Sequence, residues 1–167
     1  FIEIPLFPAA PFLKVDFGNV LVLLVSFLLG PLEGVIVCLL KEGLRAIGSS
    51  SGGVGEIANI LATSAYILLP AIAYRLHNGL KVVIPSLAVA CFLGTGAALL
   101  TNRFITFPLY MGEGAAAVFA DAFWLIVAFN LIKTVAISVI TVLLYKRLSI
   151  ILKKYLMFVW RLNVKSN

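Results

Sequence analysis

Long apolar runs, parted by short breaks rich in glycine, proline or charge, set the layout of this chain. Residues 1–6 (FIEIPL) read as the end of a helix whose beginning lies outside the supplied sequence. Residues 7–16 (FPAAPFLKVD) carry two prolines and cannot continue a helix, so they are expected to form an outer loop. A short apolar segment at 17–29 stops at Gly30-Pro31, and proline suits the first turn of a new helix, so a separate helix is expected at 31–47. Read as one helix, 17–47 would be about 46 Å long, too long for a bilayer unless strongly tilted. The glycine-serine loop 48–56 leads into a span at 56–75, and the basic turn Arg75-Leu-His-Asn-Gly leads into another at 81–102. Residues 102–112 form an aromatic-rich connection, and 115–128 read either as a separate helix or as an extension of the last one. That last helix, 129–152, holds FNLIKTVAISVITVLLYKR, and 153–167 form a basic cytoplasmic tail suited to an anionic leaflet.

Composition turns these runs into membrane spans. Of 167 residues, 62% are hydrophobic and 12% charged, against about 45–50% and about 25% in soluble domains. The chain is an all-α integral membrane protein with a single membrane domain. Cys38 and Cys91 lie in apolar runs without partners at metal spacing and read as packing residues. A net charge of +6 would suggest nucleic acid in a soluble chain; here it tracks orientation instead. With the tail inside, 75–81 is also inside, and 7–16, 48–56 and 102–114 are outside. Eight Lys/Arg then fall on inner ends and five (Lys14, Lys41, Arg45, Arg103, Lys133) on the outer side, in keeping with the positive-inside rule.

This topology gathers polar residues at one depth. Asn130 and Lys133 share a face at the start of the last helix, Asn102 ends the preceding span, and Glu56 and Asn59 open the span after the glycine loop. Lys14 and Asp16 come from the first outer loop, and Lys41 from the outer half of its helix. Lys133 has two readings: a lysine snorkelling to the headgroups, or an inward donor to a polar solute. Several such groups at one level are costly unless they pair or line a wet cavity. Aromatic residues surround them, including Phe12, Phe17, Phe104, Phe107, Tyr110 and Phe129. A cavity of amides, one or two charges and rings suits a flat, uncharged, polar-edged ligand.

The same residues exclude other classes. One histidine and scattered serines offer no nucleophile–base pair, and no cluster holds a metal, so no enzyme, cofactor or metal centre is expected. The loop GSSSGGVGE lacks a following Gly-Lys-Ser/Thr and joins membrane helices, which rejects a nucleotide site. No inverted repeat or buried carboxylate chain marks an ion-coupled carrier. The chain is expected to bind a solute while another component supplies energy.

The ordered set PFLKVDFGNV, GPLEGVIVCLLKEGL, GGVGEIANIL, LTNRFITFPLY and FNLIKTVAISVITVLLYKRL resembles the riboflavin-specific substrate-binding (S) subunit of energy-coupling-factor (ECF) vitamin transporters, from about Pro11 to Lys154. The resemblance implies a bundle of six transmembrane helices, the first largely missing from the supplied sequence, with both termini cytoplasmic in the cell membrane. It implies riboflavin as transported ligand, and a membrane scaffold subunit and two ATPase subunits as partners. By motif, flavin-binding amides and a lysine fall on Asn102, Asn130 and Lys133, with Asn59 a further carry-over. The loop FLKVDF, holding Leu13, Asp16 and Phe17, matches an outer lid capping the ligand cavity. Glu56 and Phe107 complete the candidate ligand set. Riboflavin's uracil-like edge can be read by amides and an ammonium, and its ring buries against aromatic side chains. The alternatives are an S subunit for another vitamin and a stand-alone carrier of a small planar solute.

Overall fold

In the computed structural model, residues 3–5, 14–49, 52–77 and 79–165 are described, with side chains from Asp16 to Tyr145 over the same stretches. Two short strands, β1 (Glu3–Pro5) and β2 (Lys14–Asp16), precede the helices α1 (Gly18–Leu28), α2 (Pro31–Ala46), α3 (Val54–Leu76) and α4 (Leu80–Thr101). A π-helical turn (Asn102–Thr106), the short α5 (Phe107–Met111) and a 3-10 turn (Gly112–Gly114) lead into α6 (Ala115–Lys165). Val54–Leu76 and the helical run Leu80–Tyr145 are long and apolar enough to cross a membrane. Large apolar side chains such as Leu21, Leu40, Phe92 and Trp124 point outward, as expected of lipid-facing positions.

Four expectations need correcting. Glu3–Pro5 is a strand, not the tail of a helix: a residue before proline disfavours the helical backbone, and the segment pairs antiparallel with Lys14–Asp16, Glu3 opposite Asp16. The outer loop 7–16 therefore ends in a strand, while 6–13, and Leu13 with it, lie outside the described residues. The connection 102–112 is helical. Its π turn takes the Phe107 N–H to the Asn102 carbonyl, a wide register set just before Pro108, which has no N–H to give. Finally, the last helix starts at Ala115 rather than 129, and its backbone continues through the expected tail to Lys165. Nothing between those residues is glycine or proline, so nothing stops it. Its 51 residues span about 77 Å, more than the roughly 30 Å hydrocarbon core.

Helix α3 is central, packing on α1, α2 and α4, while α6 closes the bundle against α1 and α4. Leu23, Ile67, Ala90 and Ile137 meet in the main core. Small residues set the closest approaches. A Cβ on Gly34 would lie 1.9 Å from the Ser26 hydroxyl of α1, and one on Gly94 would lie 2.8 Å from Cβ of Tyr66. Ala90, Gly94 and Ala98 form a buried face of α4, so α3 and α4 can come close beside the polar residues described next.

Candidate functional site

Each helix delivers polar residues on one face by its own period. On α3, Asn59, Thr63 and Tyr66 stand at i, i+4 and i+7; on α6, Asn130, Lys133, Thr134 and Ile137 do so at i, i+3, i+4 and i+7. With Asn19 of α1, Ala62 of α3 and Gly94 of α4, six of these seven residues, all but Asn59, close around a narrow cavity: its walls are Asn19, Ala62, Thr63, Tyr66, Gly94, Asn130, Lys133, Thr134 and Ile137. It measures about 10 Å³, the room a single water needs. The Tyr66 hydroxyl lies 2.6 Å from Ser138 Oγ and donates to the Thr134 carbonyl at 3.3 Å, tying α3 to α6 along this wall.

Behind the wall runs a buried polar network. Lys133 Nζ donates to Asn59 Oδ1 at 2.6 Å, and Asn59 Nδ2 donates to Glu42 Oε1. Glu42, fully buried on α2, also meets Lys41 Nζ at 2.7 Å and Arg45 Nη1 at 3.3 Å. Lys41 in turn donates to Asn19 Oδ1 and pairs with Asp16 Oδ2 at 2.5 Å, and Arg45 reaches the same carboxylate at 3.2 Å. The result is one continuous path from the end of β2 to the cavity: Asp16, Lys41, Glu42, Asn59, Lys133. Isolated charges at this depth would each cost several kcal/mol, and pairing is what makes them tolerable. Asp16 is placed by a local turn in which its Oδ1 accepts the Gly18 N–H at 2.7 Å. Burial alone would raise the Asp16 pKa; the hydrogen bond and charge of Lys41, the Gly18 N–H and Arg45 outweigh it and hold the carboxyl below its ordinary value of 3.8.

The structure brings some expected site residues together and disperses others. Asn130 and Lys133 both line the cavity, and Asn130 is buried, with Nδ2 donating to the Ile126 carbonyl at 2.9 Å. Asn59 stands one bond behind them, and Asp16 joins at the far end of the network. Asn102 is outside this cavity lining, its Nδ2 turned to the Ala98 carbonyl at 2.8 Å. Glu56 is buried in the first turn of α3. Phe107 sits in a second apolar cluster with Ala115 and Ile126, its ring 5.6 Å from Phe119. Half-buried Phe17 begins α1, its carbonyl accepting the Val20 N–H.

Asn19, Glu42 and Tyr66 escaped the sequence reading. Glu42 had a usable signal, since Gly34, Cys38 and Glu42 recur every four residues and are the buried positions of α2. Tyr66 likewise shares the face of Asn59 and Thr63.

A family model for the substrate-specific component of ECF transporters matches residues 1–145. The chain belongs to that family. It is 34% identical to the riboflavin transporter RibU of Staphylococcus aureus (strain TCH60), over 92% of this chain and 84% of that protein. It is 32% identical to the riboflavin transporter FmnP of Bacillus subtilis (strain 168), over 85% of this chain and 80% of that protein. A solved structure, the S component of a bacterial ECF transporter, superposes with a TM-score of 0.79 at 35% identity, covering 92% of this chain and 88% of that one. The membrane helical bundle of the ECF S components is therefore the fold of this chain.

The Asp16 pairing carries a pH signature. Because the folded-state pKa is lowered, its stabilisation is complete above the ordinary carboxylate value, about 4, and is lost as pH falls through the lowered folded value. Thermal midpoints of the detergent-purified protein should fall from pH 5 towards pH 3, and Asp16→Asn should flatten that slope. At pH 7, Lys41→Met should cost about 3–5 kcal/mol, because Asp16 and Glu42 would lose the ammonium they share and keep the more distant contacts of Arg45. An unchanged acid slope in Asp16→Asn would contradict the assignment.

Proposed function

We propose that this chain is the riboflavin-specific S subunit of an ECF transporter and that it reads the flavin at the cavity between α3, α4 and α6. The observation that carries the site assignment is the meeting of Asn130 and Lys133 at one buried cavity wall. Riboflavin binding and uptake accord with family membership and with two riboflavin-transporting relatives.

The chemistry at the wall suits the ligand. The flavin's pyrimidine edge presents carbonyl, N–H and carbonyl. Lys133 spends one donor on Asn59 and, as an ammonium, has two others for a flavin carbonyl. Asn130 uses its amide N–H on Ile126 and retains an oxygen that can accept the ring N–H. Tyr66 supplies an aromatic wall for the ring, and Thr63 and Thr134 supply hydroxyls within reach of polar ligand edges. A ligand of this size needs a cavity of roughly 300 Å³ or more, so entry requires the walls to part. Binding thus includes a conformational step, and its affinity is the surplus left after that cost.

Energy for transport comes, in this reading, from two ATPase subunits acting through a membrane scaffold subunit, with the chain as the capture component. The cavity and its network lie towards the outer side of the cell membrane, with both termini in the cytoplasm. Support comes from charge: eight basic residues fall at the inner ends and five on the outer side. Single cysteines tested with an impermeant reagent on intact cells should label at Tyr110 and not at His77. Labelling at His77 alone would invert the orientation.

Ligand contacts are tested by riboflavin fluorescence quenching. Lys133→Met and Asn130→Ala should each weaken binding by about tenfold to a hundredfold, the loss of roughly 1.5–3 kcal/mol for a partner of a buried polar edge. Lys81→Met, exposed at the other end of the bundle, should bind as wild type does. Wild-type affinity in both site variants would place the flavin elsewhere.

A further inference from the structure

We propose that Glu42 is a positioning residue for ligand recognition, acting on the cavity through Asn59 and Lys133; this inference rests on Lys133 being a flavin contact. Glu42 is fully buried, on a helix that contributes no residue to the cavity wall. A carboxylate in this network only accepts hydrogen bonds and an ammonium only donates them. Asn59 stands between the two, giving Nδ2 to Glu42 Oε1 and Oδ1 to Lys133 Nζ at 2.6 Å. Its amide therefore has one satisfying orientation. Reversed, it would set a donor against the ammonium and an acceptor against the carboxylate. Glu42 is itself fixed by Lys41, whose Nζ meets the same Oε1 at 2.7 Å, and by Arg45, 3.3 Å from Oε2. The polarity set on α2 thus passes through α3 and fixes where the α6 ammonium sits, a supporting shell behind the residues that touch ligand. Thr63, whose hydroxyl lies 3.5 Å from Asn59 Oδ1, stands on the same side of the relay.

A double-mutant cycle distinguishes positioning from general stabilisation. Riboflavin affinity is measured by fluorescence quenching for wild type, Glu42→Gln, Lys133→Met and the double variant, with thermal midpoints recorded alongside. An amide at position 42 can present either a donor or an acceptor to Asn59, so the forced orientation is lost. Glu42→Gln should weaken binding about tenfold in the wild-type background and less than about twofold in the Lys133→Met background. Adding Asn59→Asp to Glu42→Gln should recover much of the loss, because the carboxylate then faces Lys133 directly and accepts from the new amide. Glu42→Asp keeps the charge that Lys41 and Arg45 require while withdrawing it from Asn59, and answers the same question if the glutamine variant does not fold. Equal losses in both backgrounds, or no loss in either, would overturn the positioning role. Full affinity in Lys133→Met would overturn the functional reading first, and the relay with it, so the two failures are told apart by that variant alone.

Discussion

Burying charge in an apolar bundle is the constraint on which this structure turns. Asp16, Lys41, Glu42 and Lys133 come from β2, α2 and α6, and all sit among helices whose outer faces are apolar. None would be tolerable there alone, and the desolvation cost of each is offset only by the others and by the amides of Asn19 and Asn59. The network thereby fixes the mutual register of five elements, β2, α1, α2, α3 and α6. Small residues do the complementary work: Gly34 against Ser26, and Gly94 against Tyr66, allow the close approach that hydrogen-bond distances demand.

The same constraint connects fold to function. A cavity in a membrane bundle that must recognise an uncharged polar-edged ring needs donors that are fixed and dry, since mobile or hydrated groups discriminate poorly. Lys133 meets that condition because its stem belongs to α6 while its head is held by α3. Asn130 meets it through its bond to the Ile126 carbonyl one turn earlier on the same helix. The narrowness of the cavity then makes binding and conformational change one event.

How much of this was legible in the sequence depended on whether the signal was local. The pairing of Asn130 with Lys133 is an i, i+3 relation inside one apolar run, and it reads directly. So does the glycine-proline turn between α1 and α2. The continuity of α6 from Ala115 was equally present, as an unbroken stretch without glycine or proline, yet apolar character alone left 115–128 open between a separate helix and an extension of the last one. Glu42 was obscured differently: Lys41, Glu42 and Arg45 look like a solvated helix end, and the amide that shows otherwise lies 17 positions away. The β1–β2 pairing is likewise set between segments rather than within either. Phe107 was drawn towards the site by its aromatic neighbourhood, yet the π turn before it sends its ring against Phe119.

In the proposed site the flavin's polar edge meets α6 at Lys133 and Asn130, held from behind by Asn59. A crystal or cryo-electron microscopy structure of the protein loaded with riboflavin tests it most directly. Ring density is expected between α3, α4 and α6, with a pyrimidine carbonyl within hydrogen-bond distance of Lys133 Nζ and the Asn59 to Glu42 bond intact. Density for the ring away from α6, or at α6 with Lys133 turned to the headgroups, would contradict it.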